Sequence, residues 1–269
     1  MRIACHTRDG IRLAVAEAGT GRFFLFQHGL CADAAQPLDV FPEGQGWRCV
    51  AMECRGHGRS EVGPVEAISL ATFADDLVSV LEAHSREPVV LGGISMGAAL
   101  AMRVAVLRPE LVQGLVLARP AWVDRPLPEN MLPNALVGEL LDRYPLAEAR
   151  RRFEESSVAR RLAAEAPDNL ASLRGFFSRE PLAITSLLLR RISADGPGVA
   201  THEIAALRVP TLVLGTRRDL VHPLGYVDVL ASLIPGARRC VITSKADDRD
   251  RYRAEFRAAL SSFLSDLRA

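Results

Sequence analysis

Lysine is almost missing from this 269-residue chain: Lys245 stands alone, and the other thirty-two of its thirty-three basic residues are arginine. Charge of one sign is not in excess either, because thirty-two acidic residues leave a formal net charge of +1. Apart from short runs such as Arg150 to Arg152 there is no basic block, so nothing marks a nucleic acid or an anionic membrane surface as partner. Cysteine is sparse and unpatterned. Cys5, Cys31, Cys49, Cys54 and Cys240 are odd in number and form no C-x-x-C pair, which argues against a disulfide framework or a metal site and predicts reduced, mostly buried thiols. No apolar run approaches the length of a transmembrane helix, and the opening MRIACHTRDGIRL carries no apolar signal core. The expectation is a soluble cytoplasmic protein that acts on a small molecule, without metal or cofactor.

What is present is alternation. IACHT and IRLAVAEA flank Asp9-Gly10, a dipeptide suited to a two-residue hairpin turn. The apolar runs FFLFQH and WRCVAME read as buried parallel strands. Leu70, Phe73, Leu77, Val80 and Leu81 recur at helical spacing, and PVVLGGI, VQGLVLAR, PTLVLGT and RRCVITS repeat the strand pattern, with MGAALAMRVAVL a nearly all-apolar helix among them. Such alternation predicts an α/β fold, with a mostly parallel central sheet covered by helices on both faces. Between Arg119 and Ala200 the rhythm changes: prolines from Pro120 to Pro181 and short helical patterns such as ALVGELLDRY and AITSLLLRRI replace the strands. This predicts a helical cap over residues 120–200, inserted into a core formed by 1–119 and 201–269.

Gly93-Ile94-Ser95-Met96-Gly97 matches G-x-S-x-G, with a strand running in and a helix running out. Glycine on both sides lets the chain turn tightly enough for a serine hydroxyl to project above the sheet edge, which makes Ser95 the candidate nucleophile. Gln27-His28-Gly29-Leu30 follows the FFLFQH strand, and Arg55-Gly56-His57-Gly58-Arg59-Ser60 follows the next one, with Glu53 ahead of it. In these motifs and their order the chain resembles the α/β-hydrolase fold superfamily along essentially its whole length. The resemblance implies that the backbone N–H groups of Leu30 and Met96 form an oxyanion hole. It also implies that the triad acid is Asp219, in Gly215-Thr216-Arg217-Arg218-Asp219-Leu220-Val221-His222-Pro223, with Asp124 in reserve.

The same resemblance calls for a histidine after the last strand, and Ala246 stands there, in Ser244-Lys245-Ala246-Asp247-Asp248. Alanine accepts no proton, so another base is needed for turnover. Lys245 is adjacent to the vacancy and can be deprotonated when buried, as arginine cannot. His222, three residues beyond Asp219, is the second candidate. Two alternatives stay open from sequence: a non-hydrolytic member of the superfamily (lyase, isomerase, cyclase of bacterial secondary metabolism, or ligand-binding pseudoenzyme), and an engineered His-to-Ala trap. His28, Trp122, Met131, Phe176 and Phe177 are the candidate walls of a substrate cavity. The function expected is acyl transfer or hydrolysis of a small-to-medium apolar ester, lactone or thioester through Ser95.

Overall fold

The computed structural model describes residues 1–42, 44 and 46–267. The first two strands, β1 (Arg2–Arg8) and β2 (Ile11–Gly19), pair antiparallel with Arg8 opposite Ile11. Asp9 and Gly10 between them both have positive φ, 52° and 77°, the conformation of a two-residue turn whose twist matches the flanking strands. From β2 the chain enters β3 (Arg22–Gln27), α1 (Ala35–Val40), β4 (Trp47–Met52), α2 (Leu70–His84), β5 (Val89–Ile94), α3 (Met96–Leu107) and β6 (Val112–Ala118). Helices alone fill the stretch up to the next strand: α4 (Leu132–Arg143), α5 (Leu146–Glu155), α6 (Ser157–Glu165), α7 (Pro167–Phe176), α8 (Leu182–Ala194) and α9 (Thr201–Ala205). The chain ends as β7 (Thr211–Thr216), α10 (Leu224–Leu233), β8 (Arg238–Ile242) and α11 (Arg249–Asp266).

Among the described residues the strands form one eight-stranded sheet in the order β1-β2-β4-β3-β5-β6-β7-β8. β2 is antiparallel to both of its neighbours, and every pairing from β4 to β8 is parallel. The period of two decides which helices lie where. On β3, Phe24 and Phe26 face a cluster completed by Tyr252, Phe256 and Leu260 of α11, whereas Phe23 and Leu25 face the larger cluster that contains α2, α3 and α10. That larger cluster runs on into the inserted helices through Trp122, Met131, Phe153, Phe177 and Leu189. The insert therefore shares a core with the sheet instead of resting on it through a wet seam. Among the described residues no helix is long and apolar enough to cross a membrane.

Two loops at the carboxyl ends of the strands are fixed by buried polar groups. Arg55 meets Asp76 of α2 through two hydrogen bonds, 2.7 and 2.8 Å, with both side chains almost fully enclosed. Glu53, which takes the place of the family's usual aspartate, accepts from the Arg59 guanidinium at 2.9 Å. His28 and His57 pack with 4.9 Å between ring centres and their planes tilted by 43°. They belong to this scaffold.

Candidate active site

Ser95 joins β5 to α3 with φ 58° and ψ −113°, a left-handed conformation that an L-residue holds only when its surroundings impose it. The two flanking glycines allow the imposition. A Cβ on Gly93 would lie 2.1 Å from backbone atoms of Gly97, and one on Gly97 would lie 2.3 Å from the Gln27 carbonyl oxygen. Strand, turn and helix thus close on one another only with hydrogen at both places. The Ser95 side chain does not cap α3. Its Oγ faces His222 Nε2 at 2.8 Å instead, and His222 Nδ1 lies 2.8 Å from Asp219 Oδ1.

Sequence spacing makes this pairing compact. Asp219 Oδ1 accepts from the His222 backbone N–H at 3.0 Å as well as from the ring, so one carboxylate oxygen closes the turn around residues 219–222 and aims the imidazole. Pro223, at φ −56°, ends the turn and leads into α10. From α7 the Asn169 amide nitrogen donates to Asp219 Oδ1 at 2.9 Å, while its oxygen accepts from Leu220 and Val221 N–H at 2.8 and 3.1 Å. Asn130, ahead of α4, donates to the Val221 carbonyl at 2.7 Å. Two asparagines of the insert therefore fix the loop that presents the acid and the imidazole.

The second carboxylate oxygen belongs to Arg119. This residue follows β6 with φ 45°, and its N–H donates to the Leu214 carbonyl at 2.6 Å. Its guanidinium reaches Asp219 Oδ2 at 2.8 Å through Nε and 2.6 Å through a terminal nitrogen, and that nitrogen is also 3.2 Å from His222 Nδ1. Burial pushes the Asp219 carboxyl up, but the Arg119 charge, the His222 ring and the hydrogen bond from Asn169 outweigh it and hold it well below the usual carboxylate range. A carboxylate can only accept, so Nδ1 of His222 carries the ring proton and Nε2 offers its lone pair to Ser95. Burial lowers the His222 pKa, Asp219 raises it, and the charges of Arg119 and Lys245 lower it further, for a net shift below the ordinary value. The imidazole is neutral at neutral pH and stands within proton-transfer distance of a serine hydroxyl.

The Met96 N–H is the first of α3 and has no acceptor within its own helix. The Gly29 N–H is committed to Gln36 Oε1 at 2.7 Å, whereas the Leu30 N–H takes part in none of the backbone hydrogen bonds around this loop. Neither expected oxyanion donor is thus committed to another group among the described residues. Ser95 opens into a cavity of about 350 Å³ lined by the His-Gly loop, by α4 and α7 of the insert, and by Val221, His222 and Lys245. A neighbouring cleft of about 540 Å³ shares Cys31, Ala32, Gln36 and Arg179 with it.

Several expectations change on this geometry. Lys245 lines the cavity but makes no hydrogen bond or ion pair with any described residue, and its Nζ stands 5.0 Å from the centre of the Tyr252 ring. It is His222, and not Lys245, that contacts Ser95, because Lys245 sits on a separate loop after β8. That loop turns on itself, with the Asp247 and Asp248 N–H groups donating to the Ser244 carbonyl at 3.0 and 3.1 Å. Of the candidate cavity walls only Phe176 lines the space beside Ser95. Trp122 donates to the Asp195 carbonyl at 2.9 Å, Phe177 packs on Phe153 at 5.5 Å, and Met131 is 1 % exposed, so all three are core. His28 is fully buried, with Nδ1 donating to the Gly29 carbonyl at 2.8 Å and Nε2 accepting from the Cys54 N–H at 3.0 Å, so no nitrogen is left for a substrate. Sequence reasoning missed Asn169 altogether. Nothing local marks it, since its partners lie fifty residues downstream.

A parallel sheet with one antiparallel edge, a serine on a strained strand-to-helix turn, and an inserted set of helices over it define an α/β-hydrolase-fold protein. The chain belongs to this family: the family model for the alpha/beta hydrolase fold matches residues 23–246. It is 31% identical over 201 residues to the putative carbamate hydrolase RutD of Klebsiella pneumoniae, covering 72% of this chain and 71% of that one. It is 30% identical over 270 residues to the 2-hydroxymuconate semialdehyde hydrolase of a Pseudomonas species, covering 96% and 92%. Among solved structures, Est816, described as an N-acyl homoserine lactone degrading enzyme, is similar at a TM-score of 0.72 and 25% identity over 97% of this chain and 100% of that one. The first two of these relatives are named as hydrolases.

Proposed function

We propose that the protein is a serine hydrolase of carboxylic esters, lactones or thioesters in which Ser95 is the nucleophile, His222 the general base and Asp219 the acid. The observation that carries this reading is the continuous chain Ser95 Oγ, His222, Asp219, linked at 2.8 Å and 2.8 Å. The base comes from the loop that already holds the acid, which explains how Ala246 stands where the family has histidine. His222 takes the serine proton as Ser95 attacks the carbonyl and returns it to the leaving group. The N–H groups of Leu30 and Met96 stabilise the oxyanion. Water then repeats the sequence on the acyl-enzyme. An assembled base favours hydrolysis over the non-hydrolytic alternative, and a histidine in reach of the serine removes the reason to regard Ala246 as a trap.

A fluorophosphonate probe tests the reading directly, because it reports an activated serine. The wild-type protein is expected to be labelled to one equivalent at neutral pH, Ser95→Ala not at all, and His222→Gln at least about a thousandfold more slowly. Equal labelling of His222→Gln and wild type would remove His222 from the mechanism.

A further inference from the structure

The cavity beside Ser95 carries three cations, Arg119, Arg179 and Lys245, and no carboxylate lines it. Two of the three have their charge or donors committed. Arg119 is held by Asp219. Arg179 donates to the Gly56 carbonyl at 2.8 Å and to Thr185 Oγ1 at 2.9 Å. Lys245 has neither. The carboxylates near it are engaged elsewhere: Asp247 pairs with Arg218 at 2.5 Å, Asp248 caps α11 by accepting from the Arg251 N–H at 2.9 Å, and Asp168 and Asp219, whose charges reach Lys245, are held by Arg119 at 3.9 and 2.6 Å. The ammonium is half-buried, faces an aromatic ring on one side and the cavity on the other, and makes no direct ion pair among the described residues. A cation withdrawn from water without a partner is costly, and a bound anion removes that cost.

The insert adds a second observation. Asn134 of α4 is 6% exposed and lines the same cavity, and its side chain makes no hydrogen bond among the described residues, with Oδ1 fully shielded. The shielded Oδ1 can only accept, so a carboxylate in the cavity would meet this side chain through its Nδ2 donors. These features favour an occupant that carries a polar group over a purely apolar one.

We propose that Lys245 is a specificity residue that binds a carboxylate on the substrate, so that the enzyme hydrolyses acyl compounds carrying a free carboxylate in preference to neutral ones of the same length. This deepens the reading of Ser95, His222 and Asp219 as the hydrolytic site and rests on it. The bound carboxylate forms no covalent bond; it orients the scissile carbonyl toward Ser95.

Matched ester pairs supply the test. 4-Nitrophenyl hemiglutarate against 4-nitrophenyl valerate places the carboxylate on the acyl side, and 4-acetoxybenzoate against phenyl acetate places it on the leaving group. At least one charged ester is expected to exceed its neutral partner about tenfold or more in kcat/KM, and Lys245→Gln is expected to reduce that ratio by a similar factor. A ratio near one in both pairs, or a ratio that Lys245→Gln leaves unchanged, would overturn the proposal. Glutarate binding to Ser95→Ala, measured by calorimetry, reads the anion site without turnover. It should be weakened about tenfold or more in Ser95→Ala/Lys245→Gln. Full ester hydrolysis by Ser95→Ala would instead sink the catalytic reading while leaving the calorimetric result to judge Lys245.

Discussion

The Arg119 guanidinium grips Asp219 Oδ2 through Nε at 2.8 Å and through a terminal nitrogen at 2.6 Å, and the same terminal nitrogen lies 3.2 Å from His222 Nδ1. A permanent cation thus stands against both the acid and the imidazole. It keeps Asp219 ionised, and it opposes a positive charge on the ring. Lys245 adds to the second effect.

The pH profile follows from this contact. The base acts only when neutral, so kcat/KM falls on the acid side as His222 becomes protonated. With its pKa below the ordinary value, activity persists to lower pH than an unperturbed imidazole allows. Arg119→Met removes one of the opposing charges, and the acid limb of kcat/KM is expected to move to higher pH. The same change leaves a buried carboxylate short of its main partner and costs ~3 kcal/mol or more in denaturant unfolding. A limb that stays in place while stability drops would reduce Arg119 to a structural strut.

Gly93 gives a steric prediction. Its added Cβ would meet backbone atoms of Gly97 at 2.1 Å, and backbone cannot swing aside as a side chain can. Gly93→Ala is expected to destabilise the protein by more than about 4 kcal/mol or to prevent soluble expression. Gly225 in α10 is the control, because a Cβ there meets nothing within 4 Å. Gly225→Ala should be neutral or raise the melting temperature slightly.

The buried pair His28 and His57 predicts acid sensitivity. Burial lowers the His28 pKa to about 4, partly opposed by its hydrogen bond to Gly29. Burial, His28 and Arg179 put His57 well below its ordinary value, and His57 Nε2 has no partner among the described residues. A depressed folded-state pKa means that the unfolded chain takes up protons first. Stability is therefore fully present above about pH 6.5 and is lost as pH falls toward the folded values. His57→Phe keeps an aromatic ring against His28 and removes one titration, though it forfeits the 3.0 Å bond to the Arg55 carbonyl at a cost of about 1 kcal/mol. The fall in melting temperature between pH 7.5 and pH 5 is expected to be smaller in the variant than in the wild type. An identical fall would place the acid sensitivity elsewhere.

Periodicity in the sequence is a local quantity, and it determined what depends on local order. Strands alternate with helices where FFLFQH, PVVLGGI and PTLVLGT lie, and each appears at its place in the sheet, because apolar spacing dictates which faces must be covered. The serine turn was legible for the same reason, since Gly93, Ser95 and Gly97 carry their geometry within five residues. The imidazole that meets Ser95 is 127 positions away, and its approach depends on a turn around Asp219 that Asn169 and Asn130 hold from the inserted helices. No spacing rule in the chain encodes those bonds. Trp122, Met131 and Phe177 make the same point: their apolarity fixed that they would be buried, and only packing chose between the core and the cavity wall. The sequence by itself determined the sheet, the serine and the absence of histidine near Ala246. Tertiary structure decided which imidazole meets Ser95 and left Lys245 without an ion pair among the described residues, because hydrogen bonds and counter-ions are matters of distance in space and not along the chain.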